Sequence, residues 1–243
     1  MTPTELSSIP IWPEFLPVVS TMGGTGYHEA LLRTSHPAGH GSLIRAAEQD
    51  GTMWCLDSRM LSEAIDLLAR THSNLRIGIN LSAVTVQQRM DAWLAKLARS
   101  RQYASRLVVE LTETAAHADA GKALRFAAAC RAMGAKVAVD DYDSGLFDDE
   151  LVTLLRPDFV KLGNVWRGAA GGNARSRLAT ALHHLGGIRC DSVVVEWVDT
   201  EEKLEAARSL CVSHVQGSYV GGHSNLDTAA ATFGVMQKVV RVA

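Results

Sequence analysis

Six short apolar runs punctuate this chain, and each carries one polar or charged residue at or beside its end. RIGIN carries Asn80, LVVEL Glu110, KVAVD Asp140, FVKL Lys161, VVVE Glu196 and HVQ Gln216. The segments between them repeat apolar residues at three- and four-residue intervals, so the chain alternates strand and helix. Repeated alternation of this kind predicts an α/β fold with parallel strands and right-handed crossovers. In a parallel barrel the strand C-termini converge on one mouth, which brings residues from distant parts of the sequence into one site.

The chain has 243 residues, the length of one barrel domain of about 250 residues. Residues 1–12 read as a loose N-terminal arm and residues 13–243 as the barrel domain. Hydrophobic residues make up 47% and charged residues 21%, which supports a large core and a soluble surface. The net charge of −2 excludes a polycationic surface for DNA or RNA polymers but leaves a small nucleotide open. Cys55, Cys130, Cys190 and Cys211 stand singly, without zinc or redox spacing, and read as reduced thiols. No apolar run reaches the roughly 18–20 residues that cross a bilayer, and no leader pattern opens the sequence. The expectation is a cytoplasmic protein with no membrane contact.

Strand candidates at Phe15–Val19 and Tyr27–Leu32 flank Gly23, Gly24 and Gly26, a hairpin-like start that differs from the later crossovers. Leu56, Met60, Leu61, Ala64, Ile65 and Leu68 predict a helix that Asp57 could cap. Further helices are predicted over Met90–Arg99, Gly121–Met133, Asp149–Leu155, Ala174–Leu185, Glu201–Leu210 and Leu226–Val240. Gly168–Asn173 reads as a mobile connection, because it lacks the lysine and hydroxyl residue of a phosphate loop.

Glu29, Asn80, Glu110 and Asp140 are oxygen donors on separate strands, a set that suits Mg²⁺ or Mn²⁺. Asp141 directly follows Asp140, and consecutive aspartates let one carboxylate bridge two ions while its neighbour holds the second. Lys161 supplies a cation for developing phosphoryl charge, and Arg33 offers a planar fork to a phosphate. Taken singly, each acid could equally be a helix cap or a surface charge. The nine histidines show no ligand spacing.

The runs YHEALLR (27–33), INLSA (79–83), VVELTET (108–114), VAVDDYDSG (137–145), DFVKLG (158–163), VVVEWVDTEEKL (193–204) and VQGSYV (215–220) resemble the EAL-domain cyclic di-GMP phosphodiesterases in order and spacing. The resemblance covers nearly the whole chain. It implies a modified TIM (β/α)8 barrel whose first strand runs against the rest. It implies Glu29, Asn80, Glu110 and Asp140 as ligands of a first ion. Asp141 and Glu196 would serve a second ion and the attacking water, and Lys161 would stand beside that water. Arg33 and Gln216 would bind substrate, and Glu113 would anchor the loop after Asp140. The implied reaction is hydrolysis of cyclic di-GMP to linear pGpG with one or two Mg²⁺ or Mn²⁺ ions and no organic cofactor. A homodimer is a further expectation.

The chain departs from the family pattern around the second ion. DDYDSG has Asp143 where glycine is usual, which predicts a backbone cost if that position needs positive φ. Gly163 replaces an aspartate, Trp197 replaces a glycine, and Asp199 replaces a glutamate. Leu16 replaces an amide residue, and His223 stands where a proline is usual. Trp197 reads either as packing between barrel and helices or as a stacking surface for guanine. Three functions remain open at this level: an active phosphodiesterase, a noncatalytic regulator that binds cyclic di-GMP or a protein partner, and, more distantly, another metal-dependent barrel enzyme acting on a phosphorylated sugar or acid.

Overall fold

Two-residue periodicity in the apolar runs separates into two cores. In the computed structural model, which describes residues 1–23, 26–71, 74–112, 119–144, 149–167, 172–186 and 193–225, Val109, Val137, Val139, Val160, Val193 and Val195 join the helices in a large outer core. Their neighbours Val108, Ala138, Phe159 and Val194 join Val18 and Tyr27 in a separate inner cluster. That division follows from side chains alternating across a strand.

The strands are β1 (Ile11–Ser20), β2 (Tyr27–Thr34), β3 (Ile77–Leu81), β4 (Leu107–Leu111), β5 (Lys136–Val139), β6 (Phe159–Leu162), β7 (Val193–Val195) and β8 (His214–Gln216). They close into a barrel in sequence order. β1 is antiparallel to both β2 and β8, and every other pair is parallel. The modified barrel with a reversed first strand is therefore what forms. The outer layer contains α1 (Pro3–Ser8), α2 (Gly39–Gln49), α3 (Met53–Arg70), α4 (Ala83–Gln88), α5 (Met90–Arg99), α6 (Ala120–Met133), α7 (Asp149–Leu155), α8 (Ala174–His184) and α9 (Glu201–Ser209). No helix among the described residues is long and apolar enough to cross a membrane.

Two expectations need correction, and three fall outside the described residues. The N-terminal arm is not loose: Thr2 and Glu5 form a capping box at α1, Leu6 is fully buried, and Arg59 donates to the Leu6 carbonyl at 2.7 Å. Asp57 does not cap α3, which starts four residues earlier at Met53. The predicted helix Leu226–Val240, residues 168–171 of the glycine-rich connection, and Glu113 lie outside the described residues.

Asp57 instead ties α3 to the turn that follows Asn80. Its Oδ2 accepts from the Ser82 N–H at 3.1 Å, the Ser82 hydroxyl at 2.9 Å and the Thr85 hydroxyl at 2.5 Å. Burial pushes its carboxyl up to about 6 against the pull of these donors. Between pH 4 and 6 the native state thus holds a proton that the unfolded chain releases, so this stabilisation is present below pH 4 and lost as pH rises through 6. Asp57→Asn is expected to erase that slope. Urea denaturation should show the mutational effect changing by about 2 kcal/mol between pH 4.5 and 7.5.

Candidate active site and metal centre

The residues two positions on from the inner cluster build the site. Glu29 follows Tyr27, Glu110 follows Val108, Asp140 follows Ala138, Lys161 follows Phe159 and Glu196 follows Val194, so period two points all five inward, one layer higher. Asp140 and Glu196 lie just past their strands but stay in the ladder, their N–H groups donating to Leu111 at 2.9 Å and Leu162 at 3.0 Å. Gly78 makes room beside them, since a Cβ there would meet Glu110 Oε1 at 2.2 Å and the Tyr27 ring at 2.6 Å.

Lys161 sits at the centre, 1% exposed. Its Nζ lies 2.7 Å from Glu110, 2.8 Å from Asp140, 3.0 Å from Glu196 and 3.1 Å from Glu29. Asn80 Nδ2 donates to Glu29 Oε1 at 2.7 Å, and Gln216 Nε2 donates to Glu29 Oε2 at 3.0 Å. Glu29, Glu110 and Asp140 each bring a carboxylate oxygen within 4.8 Å of the others.

Four carboxylates around one ammonium leave an excess of negative charge in a largely buried space. The protonation states respond accordingly. Burial pushes the Glu110 carboxyl well above the ordinary range, with Glu29 and Asp140 adding to it. Burial likewise raises Glu196 to about 8. Burial also acts to raise Glu29, but Lys161, Asn80 and Gln216 outweigh it and hold that carboxyl below its usual value. Burial acts to depress Lys161, and the surrounding acids reverse this and raise it.

The donor set fits a hard divalent cation. Glu110 Oε1 and Asn80 Oδ1 are buried acceptors with no hydrogen-bond partner among the described residues, and both belong to the set expected to hold the first ion. The acceptors gathered there are carboxylate and amide oxygens, the chemistry that suits Mg²⁺ or Mn²⁺ rather than a thiolate-seeking metal.

The departures from the family pattern lie on the side where the resemblance implies a second ion. A Cβ at Gly163 would lie 2.0 Å from Asp141 Oδ1 and 2.8 Å from Glu196 Oε2, so the space beside this glycine is taken by two other carboxylates. Asp143 does not adopt positive φ, contrary to expectation. Its carboxylate accepts from the Gly163 N–H at 2.9 Å and the Asn164 N–H at 2.8 Å, and the left-handed conformation falls on Asp141 at φ 48°. Gly163→Ala should force the Asp141 carboxylate aside. It is expected to cost about 1–3 kcal/mol in a denaturation experiment, the range for overpacking.

Arg33 stands apart from the cage, four residues beyond Glu29 on β2 and about 13 Å along the strand. Its Nε pairs with Glu14 at 2.7 Å, and its Nη2 lies 3.4 Å from His223 Nδ1. Trp197 is not packed between barrel and helices. It is 58% exposed at φ 56°, directly after Glu196.

Sequence reasoning missed Trp166, Glu14 and Tyr27. Trp166 Nε1 donates to the Glu196 carbonyl at 2.6 Å and fixes that strand end. Nothing in the run NVWRG signals this contact, which depends on the loop after β6 meeting the end of β7. Tyr27 was legible as the residue two before Glu29, and its ring floors the cage beside Phe159, 5.4 Å between centroids.

Comparison with known proteins agrees with this fold. The chain is 25% identical over 213 residues to the cyclic di-GMP phosphodiesterase PdeF of Escherichia coli, covering 84% of this chain and 28% of that protein. It is 29% identical over 208 residues to the bifunctional diguanylate cyclase/cyclic di-GMP phosphodiesterase MucR of Pseudomonas aeruginosa, covering 79% and 30%. The chain thus spans less than a third of either relative's length. The fold is shared with a solved c-di-GMP complex of the PaMucR phosphodiesterase, with TM-score 0.75, 24% identity, and coverage of 90% of this chain and 98% of that one. A manganese and c-di-GMP complex of Klebsiella pneumoniae BlrP1 gives TM-score 0.70 at 22% identity, covering 88% and 56%. The EAL domain family model matches residues 8–222, and on that match the chain belongs to the EAL domain family.

Proposed function

We propose that this chain hydrolyses one phosphodiester of cyclic di-GMP, giving linear pGpG, with Mg²⁺ or Mn²⁺ held in the barrel mouth. Glu29, Asn80, Glu110 and Asp140 would hold the first ion, and Asp141 and Glu196 a second. The observation that carries the reading is the set of unpartnered buried acceptors, Glu110 Oε1 and Asn80 Oδ1, inside a cage with more carboxylates than cations. Relatives named as cyclic di-GMP phosphodiesterases support the substrate. A divalent cation there would polarise the phosphoryl group and acidify the attacking water. In the reaction the water oxygen bonds to phosphorus, the P–O3′ bond breaks, and O3′ leaves with a proton.

The chain's own residues supply the setting. Lys161, fixed by four carboxylates, holds a positive charge that needs no reorganisation as charge develops on the phosphoryl oxygens. Gln216 and Asn80 orient Glu29 from two sides. Trp166 fixes the backbone of Glu196. The free thiols Cys55, Cys130 and Cys211 suit a reducing, cytoplasmic setting.

A noncatalytic regulator is the second reading, favoured by the lost carboxylate at Gly163 and by the engagement of Arg33 with Glu14. Incubation with cyclic di-GMP and Mn²⁺, followed by nucleotide separation, tests the pair. pGpG formation that disappears with Glu29→Ala supports the enzyme. Tight binding of intact cyclic di-GMP supports the regulator, and neither result would favour a protein partner.

A further inference from the structure

The rim of the mouth carries aromatic side chains that packing leaves about half exposed. Among the described residues the exposed large apolar side chains are Trp12, Met22, Leu154, Trp197 and Tyr219. Three of these lie at the mouth end of the barrel. Trp12 pairs with Arg33 at the mouth end of β1, Trp197 follows Glu196, and Tyr219 lies just beyond Gln216. The Tyr219 N–H donates to the Val198 carbonyl at 3.0 Å, which ties the loop after β8 to the one bearing Trp197.

Trp197 is held out in solvent by its surroundings. Its φ of 56° is one that bulky L-residues seldom adopt. Both flanking carbonyls are clamped: Trp166 Nε1 donates to Glu196 O at 2.6 Å and Lys203 Nζ donates to Trp197 O at 3.0 Å. The Arg167 guanidinium lies 5.6 Å from the Trp197 ring centroid. Glycine would fit this backbone without strain and expose no indole to water, so neither folding nor solubility explains the side chain.

We infer that Trp197, braced by Arg167, is a stacking ledge that docks a purine base of the substrate and selects nucleotide over base-free phosphodiesters. The inference rests on the cyclic dinucleotide reading of the adjacent cage. A base on this ledge is joined through its sugar to a phosphate at the cage, one residue away at Glu196. Guanine offers a planar face to the indole and hydrogen-bond acceptors on its edge to the arginine. Stacking on an exposed aromatic ring tolerates any base, so purine over pyrimidine is expected from ring area alone. The ledge would thereby supply grip where Leu16 lacks the amide usual in the family and where Arg33 is engaged with Glu14.

The test compares wild type, Trp197→Gly and Trp197→Phe on cyclic di-GMP and on the cyclic di(ribose phosphate) that lacks both bases, a diester with no aromatic ring to stack. Calorimetric affinity for cyclic di-GMP is measured alongside. Trp197→Gly should weaken affinity or raise KM for cyclic di-GMP by roughly five- to a hundredfold, the range of base–aromatic stacking. Its kcat, its rate on the base-free diester and its melting temperature should not fall, and Trp197→Phe should retain most of the affinity. Unchanged affinity with Trp197→Gly, or equal changes on both substrates, would overturn the ledge while leaving the cage reading intact. Wild-type protein that neither binds nor cleaves cyclic di-GMP would overturn both.

Discussion

Lys161→Met is expected to destabilise the metal-free fold by about 3–5 kcal/mol, the penalty for leaving buried charge without its partner. The ammonium is the shared counterion of Glu29, Glu110, Asp140 and Glu196, each within 3.1 Å, and methionine keeps the length but removes the charge. The orphaned acids would respond by binding protons. A carboxyl whose folded value lies above its unfolded one gives up stability as pH rises through the folded value, so the penalty should be larger at pH 9 than at pH 6. Burial already raises Glu196 to about 8 in the wild-type cage. Urea denaturation in EDTA at both pH values measures the loss, and Mn²⁺ should restore part of it by replacing the missing positive charge. A variant as stable as wild type at pH 9 would mean that the ammonium does not hold the cage together.

Glu110→Gln should have the opposite balance. The side chain is 0% exposed, and burial already favours its neutral form, so the isosteric amide is expected to leave metal-free stability unchanged or slightly higher. Function should suffer heavily, because the substitution removes a buried oxygen donor and its charge from the ion's side of the cage. Turnover of cyclic di-GMP is expected to fall on the order of a hundred- to a thousandfold, the scale of losing one preorganised electrostatic stabiliser. Initial rates in Mn²⁺ check it. Stability retained while turnover collapses is what separates a functional carboxylate from a structural one.

Much of the barrel was legible because period two leaves a clear mark on short strands. The alternation that sends Val109, Val137 and Val160 outward sends Glu110, Ala138 and Lys161 inward, and the polar residues among these stand out in apolar runs. The site residues Asn80, Glu110, Asp140, Lys161, Glu196 and Gln216 were visible for that reason. What escaped depends on contacts between elements distant in sequence. Asp57 looked like a cap because its nearest helix start is close by, but its donors, Ser82 and Thr85, come from the turn after β3. Arg33 looked free for phosphate because Glu14 lies on the neighbouring strand, where only the hairpin register brings the two together. The same holds for Asp143, whose role depends on backbone N–H groups of a different loop, at Gly163 and Asn164. Helix α1 was missed although its capping box is written in Thr2 and Glu5, since a single turn carries too little apolar periodicity to stand out.

The exchange of Asp143 and Gly163 shows why motif departures are poorly read one at a time. Glycine at 163 opens the space into which Asp141 and Glu196 move, and aspartate at 143 takes up the amides beside it. Both departures meet at the loop after β6, although the two positions are 20 residues apart in sequence.

The most direct measurement is calorimetric titration of EDTA-stripped protein with Mn²⁺, run beside Glu110→Gln. A saturable heat in the wild type, with a rise in melting temperature that the variant largely loses, is the expected result. An absence of both heat and thermal shift up to millimolar Mn²⁺ would mean that Lys161 alone neutralises the cage and that the barrel mouth is not a metal centre.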